Sequence, residues 1–277
     1  MDKNLTKPKV TVLMPVYNGE KTVEKAIRSV LSQSFKDFEF LIVDDGSKDK
    51  TAKIISEYAE LDKRIIYLKN ESNLGIQKGL NRGLRHATGD FIARIDDDDE
   101  WSGDDKLEKQ IQFLENNKDC VLVGTGAIVQ DVLEKELFRF LNPTENHEIK
   151  RILLSKNSFL HPSVVFRKGA ALSLGGYNEN EETRHIEDHD LWLRMGIKGK
   201  LANLPIYGLK RTLSKNQISA MNNIEQLKKN VYLTKKYKEK YPNYIISLLR
   251  SYIRLIIFGY LKLNFSRKIT AYFKKYK

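Results

Sequence analysis

The sequence predicts an α/β fold, a mostly parallel sheet flanked by helices and followed by a basic helical extension. Three observations carry this expectation. Short β-rich runs alternate with helical periods four times within the first 100 residues, the pattern of a parallel sheet with right-handed crossovers. Three of those runs end in polar loops, where such sheets hold their ligands. The charge is lopsided: residues 221–277 hold 14 Lys/Arg against 2 Asp/Glu, so they carry the whole net charge of +12 and the first 220 residues are neutral.

Val10–Met14 is an apolar strand stopped by Pro15, and Pro15–Gly19 is a loop. Glu20–Gln33 places Val23, Ala26, Ile27, Val30 and Leu31 at helical spacing. Phe38–Val43 is a second strand, ending in Asp44-Asp45-Gly46-Ser47, with a helix to about Leu61 and a third strand at Ile65–Leu68. Asn73-Leu74-Gly75 opens a helix to about His86, and Phe91–Ile95 is the fourth strand. Then come a helix at Lys106–Asn116, a strand at Val121–Gly124, and a β-pair from Ala127–Val132 and Leu137–Leu141. Glu148–Leu154 is helical, Val164–Arg167 is a strand, and a short helix breaks at Gly175-Gly176. Glu187–Met195 leads to a strand at Lys200–Tyr207. Ile218–Lys240 is helical and basic, Pro242 interrupts it, and Tyr244–Leu263 is apolar apart from Arg250, Arg254 and Lys262.

Asp96, Asp97, Asp98 and Asp99 follow the fourth strand without a break. Adjacent carboxylates repel unless a positive group sits among them, and hard oxygen ligands suit magnesium or manganese. The alternative is a solvated acidic turn.

Other classes are set aside. Cys120 is the only cysteine, so no disulfide forms within the chain, in keeping with a reducing cytosol. Met1–Lys9 is polar and reads as no signal peptide. No Gly-x-Gly-x-x-Gly follows the first strand, which sets aside a dinucleotide-dependent dehydrogenase. The basic tail asks for an anionic partner, but a neutral core without an RNA motif argues for no nucleic acid. Three cations disfavour a spanning helix at Tyr244–Leu263. Ser247, Arg250, Ser251, Arg254 and Lys262 share one stripe and leave a wide apolar face, which lies in a membrane interface or packs on the neighbouring domain. Arg267, Lys268, Lys274, Lys275 and Lys277, with Tyr272 and Phe273 between them, favour an anionic membrane surface for 241–277.

Val12-Leu13-Met14-Pro15-Val16-Tyr17-Asn18, Asp44-Asp45-Gly46-Ser47, Asn73-Leu74-Gly75 with Leu80-Asn81-Arg82-Gly83-Leu84, Ala93–Asp99 and Glu187–Trp192 resemble, in order and spacing, the motifs of family 2 glycosyltransferases. The likeness runs from about Lys9 to Tyr207. It implies a GT-A catalytic domain at 1–215, with a nucleotide half at about 1–100 and an acceptor half at about 101–215, followed by the extension at 216–277. It implies transfer of a sugar from a nucleotide donor, usually a UDP-sugar, to an acceptor hydroxyl with inversion.

By the same resemblance, Asp98 ligates Mn2+ or Mg2+, Asp96 contacts ribose or the metal through water, and Asp97 is on the nucleotide. The ligand register within Asp96–Asp99 stays open by one position. Pro15, Tyr17 and Glu20 line uracil and ribose, and Asp45 accepts from the base. Asn73, Gly75 and Lys78 stand at a helix start, where N–H groups favour anions; Arg94 braces the aspartates or the pyrophosphate. Asp188 is the base, with Glu187 beside it and Asp190 paired to Arg194 at i, i+4. Trp192 is core or an acceptor platform. His161 lines the acceptor site, assists the metal or is structural. The basic tail points to a lipid-linked oligosaccharide acceptor in bacterial capsule, O-antigen or other cell-surface polysaccharide synthesis, and to a cytoplasmic enzyme peripheral on the inner face of the plasma membrane. A sugar-nucleotide- or metal-binding protein without catalysis is the alternative, against which the intact Glu187-Asp188 pair argues.

Overall fold

A computed structural model describes residues 7–213 and 223–257. Among the described residues, nine strands form one sheet. Its first half is parallel: β1 (Val10–Val16), β2 (Phe38–Asp44), β3 (Ile65–Lys69) and β4 (Phe91–Arg94) lie in the order β3-β2-β1-β4. Every residue of β1 and β2 is buried, as strands covered on both faces must be. The pleat sorts them: Val10, Val12, Met14, Phe40 and Ile42 meet one core, and Leu13, Leu41 and Val43 the other. Helices α1 (Val23–Leu31) and α2 (Thr51–Leu61) cover the first face through Ala26, Ile27, Val30 and Ile55. Helix α3 (Ile76–His86) covers the second through Leu80 and Leu84.

Pro15 does not end β1. Pairing with β4 stops at Leu13, while pairing with β2 runs on to Val16. Pro15 therefore lies beyond the doubly paired stretch, where a missing N–H is tolerated.

The second half of the sheet is mixed. After the short strand β5 (Asp99–Trp101) and helix α4 (Lys106–Asn116), the long strand β6 (Cys120–Gln130) forms a hairpin with β7 (Glu136–Phe140). Helix α5 (Asn146–Leu153) precedes β8 (Val165–Arg167), which lies antiparallel between β4 and β6. Helices α6 (Lys168–Leu172) and α7 (Glu187–Lys198) lead to β9 (Lys200–Thr212), parallel to β6 and antiparallel to β5. Strand β5 was unforeseen: three residues inside an acidic run become a strand because the edge of β9 is there to pair with.

Two further helices pack on this body, α8 (Asn223–Lys236) and α9 (244–257). Asp190, fully buried on α7, joins the end of α8 to it. It accepts from Arg194 Nε at 2.8 Å, as its i, i+4 spacing predicts, and also from Tyr237 Oη at 2.8 Å and Lys236 Nζ at 3.1 Å. Leu233, Tyr237 and Tyr241 enter the second core. The apolar face of the last helix does not turn inward: Ser247 and Ser251 are buried, and Ile245, Leu249 and Ile256 are exposed. Over the described residues 244–257 this face is therefore not packed on the neighbouring domain. The expected helix at 218–222, the stretch 258–263 with Lys262, and the basic and aromatic residues of 264–277 lie outside the described residues.

Asp190→Ala is expected to leave three donors without their acceptor, at a cost on the order of 3 kcal/mol. Thermal unfolding should show Tm lowered by roughly 10 °C.

Candidate active site

The carboxyl ends of β1, β2 and β4 converge with the start of α7 on one cleft of about 850 Å³. On its first wall, Pro15 and Tyr17 leave β1, with the Tyr17 ring 47% exposed. Asn18 adopts φ +54°; its N–H donates to Ser47 Oγ, and its Oδ1 accepts from Lys48 N–H. These bonds lace the loops after β1 and β2 together. Asp45 is buried and accepts from Asn70 Nδ2 at 2.7 Å and from the N–H groups of Leu74 and Gly75, each at 2.9 Å. It thereby holds the loop before α3 against the cleft. Gly75 has φ +90°, a backbone that favours glycine.

The floor is acidic. Ligand atoms of Asp96, Asp98 and Asp99 lie within 4.8 Å of one another. Asp99 is buried by its place in β5, and its Oδ1 has no hydrogen-bond partner among the described residues. Burial raises Asp99 well above the usual carboxylate range, and Asp98 and Asp96 add to it. Burial, then Asp98 and Asp96, push Asp97 up to about 8. Asp97 stands apart from the three, with its Oδ2 over the Gly19 backbone. An orphaned buried carboxylate oxygen and three converging hard oxygen donors fit a divalent cation. The shared set is Asp96, Asp98 and Asp99, so Asp99 joins the two residues that the sequence singled out as ligands.

Arg94 lies beneath them, 0% exposed. It donates from Nη2 to Asp96 at 2.5 Å, from Nη1 to the Leu13 and Ile95 carbonyls, and from Nε to His161 Nε2 at 3.0 Å. An arginine can only donate, so His161 Nε2 is the acceptor and carries no proton. Tyr177 Oη bonds the same nitrogen at 2.8 Å. Burial, with Arg94 beside it, holds the His161 imidazole well below its ordinary pKa.

The opposite wall starts at the N-terminus of α7. Asp188 Oδ2 accepts from Asn157 Nδ2 at 2.8 Å and Oδ1 from the His189 N–H at 2.7 Å. Burial raises its pKa against the opposing pull of His189 and Asn157. Burial and Asp188 push Glu187 up to about 8, and its Oε2 has no partner among the described residues. Gln226, Asn230 and Arg254 from α8 and α9 also line this wall.

Of the residues expected from sequence, Pro15, Tyr17, Asp45, Asn73, Gly75, Asp96, Asp97, Asp98, His161, Glu187 and Asp188 all line the cleft. Two expectations, for Glu20 and Lys78, are corrected, and for Arg94 and Trp192 the structure decides between the alternatives, against a place on the cleft wall. Glu20 accepts from the Lys50 N–H at 3.1 Å and serves the start of α2. Lys78 projects from the exposed face of α3. Arg94 braces the aspartates from below and does not reach the cleft. Trp192 is core, edge-on to Phe159, His161 and Phe166, because its helix turns that face inward. Sequence reasoning missed Asn157, four residues before His161, and the residues of the last two helices; an asparagine beside a motif histidine was the available signal.

Comparison with known proteins shows the family and the fold. The family described as Glycosyl transferase family 2 matches residues 11–173. The amylovoran biosynthesis glycosyltransferase AmsE of Erwinia amylovora is 33% identical over 227 residues, 80% of this chain and 83% of its own. Among solved structures, TarS of S. aureus in complex with UDP-GlcNAc superposes with TM-score 0.69 at 19% identity, covering 89% of this chain and 72% of that one. Mannosyltransferase PcManGT from Pyrobaculum calidifontis, in complex with GDP-Man and Mn2+, gives TM-score 0.66 at 18% identity over 98% of this chain and 83% of its own. The fold is GT-A, as the sequence motifs imply.

A folded Glu187 that ionises near 8 binds a proton that an unfolded glutamate, ionising near 4.5, has lost. Stability therefore falls as pH rises through that window. Glu187→Gln is expected to raise Tm near neutral pH by about 3 °C or more, and the difference from the parent should vanish below about pH 4. Thermal unfolding across pH checks this.

Proposed function

Because the chain belongs to glycosyl transferase family 2, we propose that it moves a sugar from a UDP-sugar to an acceptor hydroxyl with inversion at the anomeric carbon. The observation that carries this reading is the pairing, across one cleft, of three clustered carboxylates that could hold a cation, Asp96 and Asp98 lining the cleft, with a half-buried, hydrogen-bonded Asp188 on the opposite wall. A binding protein without catalysis has no use for the second half.

The first wall receives the nucleotide. Tyr17 offers a half-open ring as a shelf for the base, and the loop that Asp45 holds presents the start of α3 to the phosphates. Asp96, Asp98 and Asp99 would hold Mn2+ or Mg2+, which supplies neutralisation of the charge developing on the departing diphosphate. Arg94 fixes Asp96 in place for that task.

Asp188 takes the proton of the acceptor hydroxyl. Asn157 and the His189 N–H orient its two oxygens, and burial raises its pKa, which strengthens it as a base. The acceptor oxygen then attacks from the side opposite the leaving diphosphate. The acceptor is read as a lipid-linked oligosaccharide in bacterial cell-surface polysaccharide synthesis; the relative AmsE is named for amylovoran biosynthesis. The working place is read as the inner face of the plasma membrane, held peripherally through 241–277. Among the described residues no helix is long and apolar enough to cross a membrane.

Asp188→Asn is expected to cut transfer by roughly 10²–10⁴-fold while a Mn2+-dependent thermal shift with UDP is kept. Asp98→Ala should lose both. Unimpaired transfer in either variant, measured as UDP release with unchanged circular dichroism, sinks the assignment. For the parent, kcat should fall as pH drops through the raised pKa of Asp188, since only the carboxylate accepts the proton; a pH–rate profile checks the sign.

A further inference from the structure

Helix α9 has an inverted polarity for a helix packed on a globular body. Tyr244, Ser247, Leu248, Ser251, Arg254 and Leu255 recur at helical spacing and are buried or half-buried. This inner stripe is tied down by polar contacts: Thr234 Oγ1 meets Ser251 Oγ at 3.4 Å, and Arg254 Nη1 donates to the Ser155 carbonyl at 2.8 Å. The outer stripe is aliphatic. Ile245, Ile246, Leu249, Ile253, Ile256 and Ile257 are each between 46% and 79% exposed. A patch of that kind on a water-facing surface marks an interaction site.

We propose that this outer stripe lies in the headgroup region of an anionic bilayer, and that the same docked helix, through Arg254, forms part of the acceptor wall of the cleft. The inference deepens the reading of a lipid-linked acceptor and rests on it. The anchor and the wall are one helix, so docking sets the cleft's acceptor side at the membrane plane, where such a substrate is held.

Charge selects the occupant. Residues 221–277 carry the whole +12 excess of the chain. Arg250 is exposed on the aliphatic side, and Lys156 is exposed at the cleft. An aliphatic stripe flanked by cations is the pattern of an interfacial helix on anionic lipid. A second copy of the chain would bring two such basic regions together, and like charge opposes that contact. The polar inner stripe is already committed to α8 and to Ser155, so the aliphatic face cannot roll inward without breaking those bonds.

Flotation of the full-length chain on vesicles tests this, using equimolar phosphatidylcholine and phosphatidylglycerol beside phosphatidylcholine alone. The parent should float with the mixed vesicles and less with the neutral ones. A Leu249→Glu, Ile253→Glu double variant should lose at least roughly tenfold in bound fraction while keeping the parent's circular dichroism and its thermal shift with UDP and Mn2+. With acceptor embedded in vesicles its KM should rise, while donor hydrolysis stays at the parent's rate. Arg254→Ala should still float but raise the acceptor KM. A parent that does not float overturns the proposal, as does a double variant that floats like the parent. A parent that elutes as a dimer and becomes a monomer on the double substitution shows a second copy to be the occupant and overturns it too. If the parent shows no nucleotide thermal shift, the transferase reading fails, and the flotation result still decides the docking face.

Discussion

Arg94 is a cation without access to water at the end of a central strand, and the site is arranged around its needs. It persists because it makes four hydrogen bonds and because Asp96 supplies the counter-charge; a buried guanidinium with fewer partners would be strongly destabilising. Those bonds reach the middle of β1 at Leu13, the aspartate turn and the turn His161–Ser163 that leads into β8. One side chain therefore ties the parallel half of the sheet to the mixed half. It also decides chemistry at a distance: His161 is held neutral with Nε2 as acceptor, and Asp96 is turned toward Asp98 and Asp99.

Around that brace the cleft carries like charge on two walls. Asp97, Asp99 and, across the cleft, Glu187 are driven toward protonation, by burial first and by neighbouring carboxylates second, and burial raises Asp188 as well. Carboxylates so placed are costly unless a ligand repays the cost, and the proposed cation on one side and acceptor hydroxyl on the other are ligands of that kind. The two walls differ in how their carboxylates are satisfied. Asp188 has both oxygens engaged by neutral donors, which orient without adding charge and leave it a usable base. Asp99 has an oxygen with no such donor among the described residues, which suits a metal ligand.

The C-terminal helices turn out to belong to this chemistry. Asp190 lies two residues from Asp188, the proposed base, and binds the end of α8 through Lys236 and the adjoining Tyr237. His189, between them, meets Asn230 at 3.0 Å. The position of Asp188 thus depends on residues more than forty positions later in the chain. A region set apart from the catalytic domain by composition is joined to it by buried hydrogen bonds and core tyrosines.

Local pattern was enough for the alternating elements, because each β-rich run and helical period is written in neighbouring residues, and α2 and α4 occur where that period places them. It was enough for the motif loops as well, since a strand's polar end in a parallel sheet has one place to go. Eleven of the fifteen residues expected at the site line the cleft. What only tertiary structure decided are matters of partner. Glu20, Lys78, Arg94 and Trp192 share the motif neighbourhoods of true cleft residues, but the side chains turn toward α2, solvent, the sheet end and the core. Strand β5 exists because β9 offers an edge, and it buries Asp99 as a third carboxylate of the cluster. The outward turn of the aliphatic face at 244–257 was equally undecided by the sequence, since amphipathicity defines two faces and only the buried contacts of Ser251 and Arg254 say which of them is in.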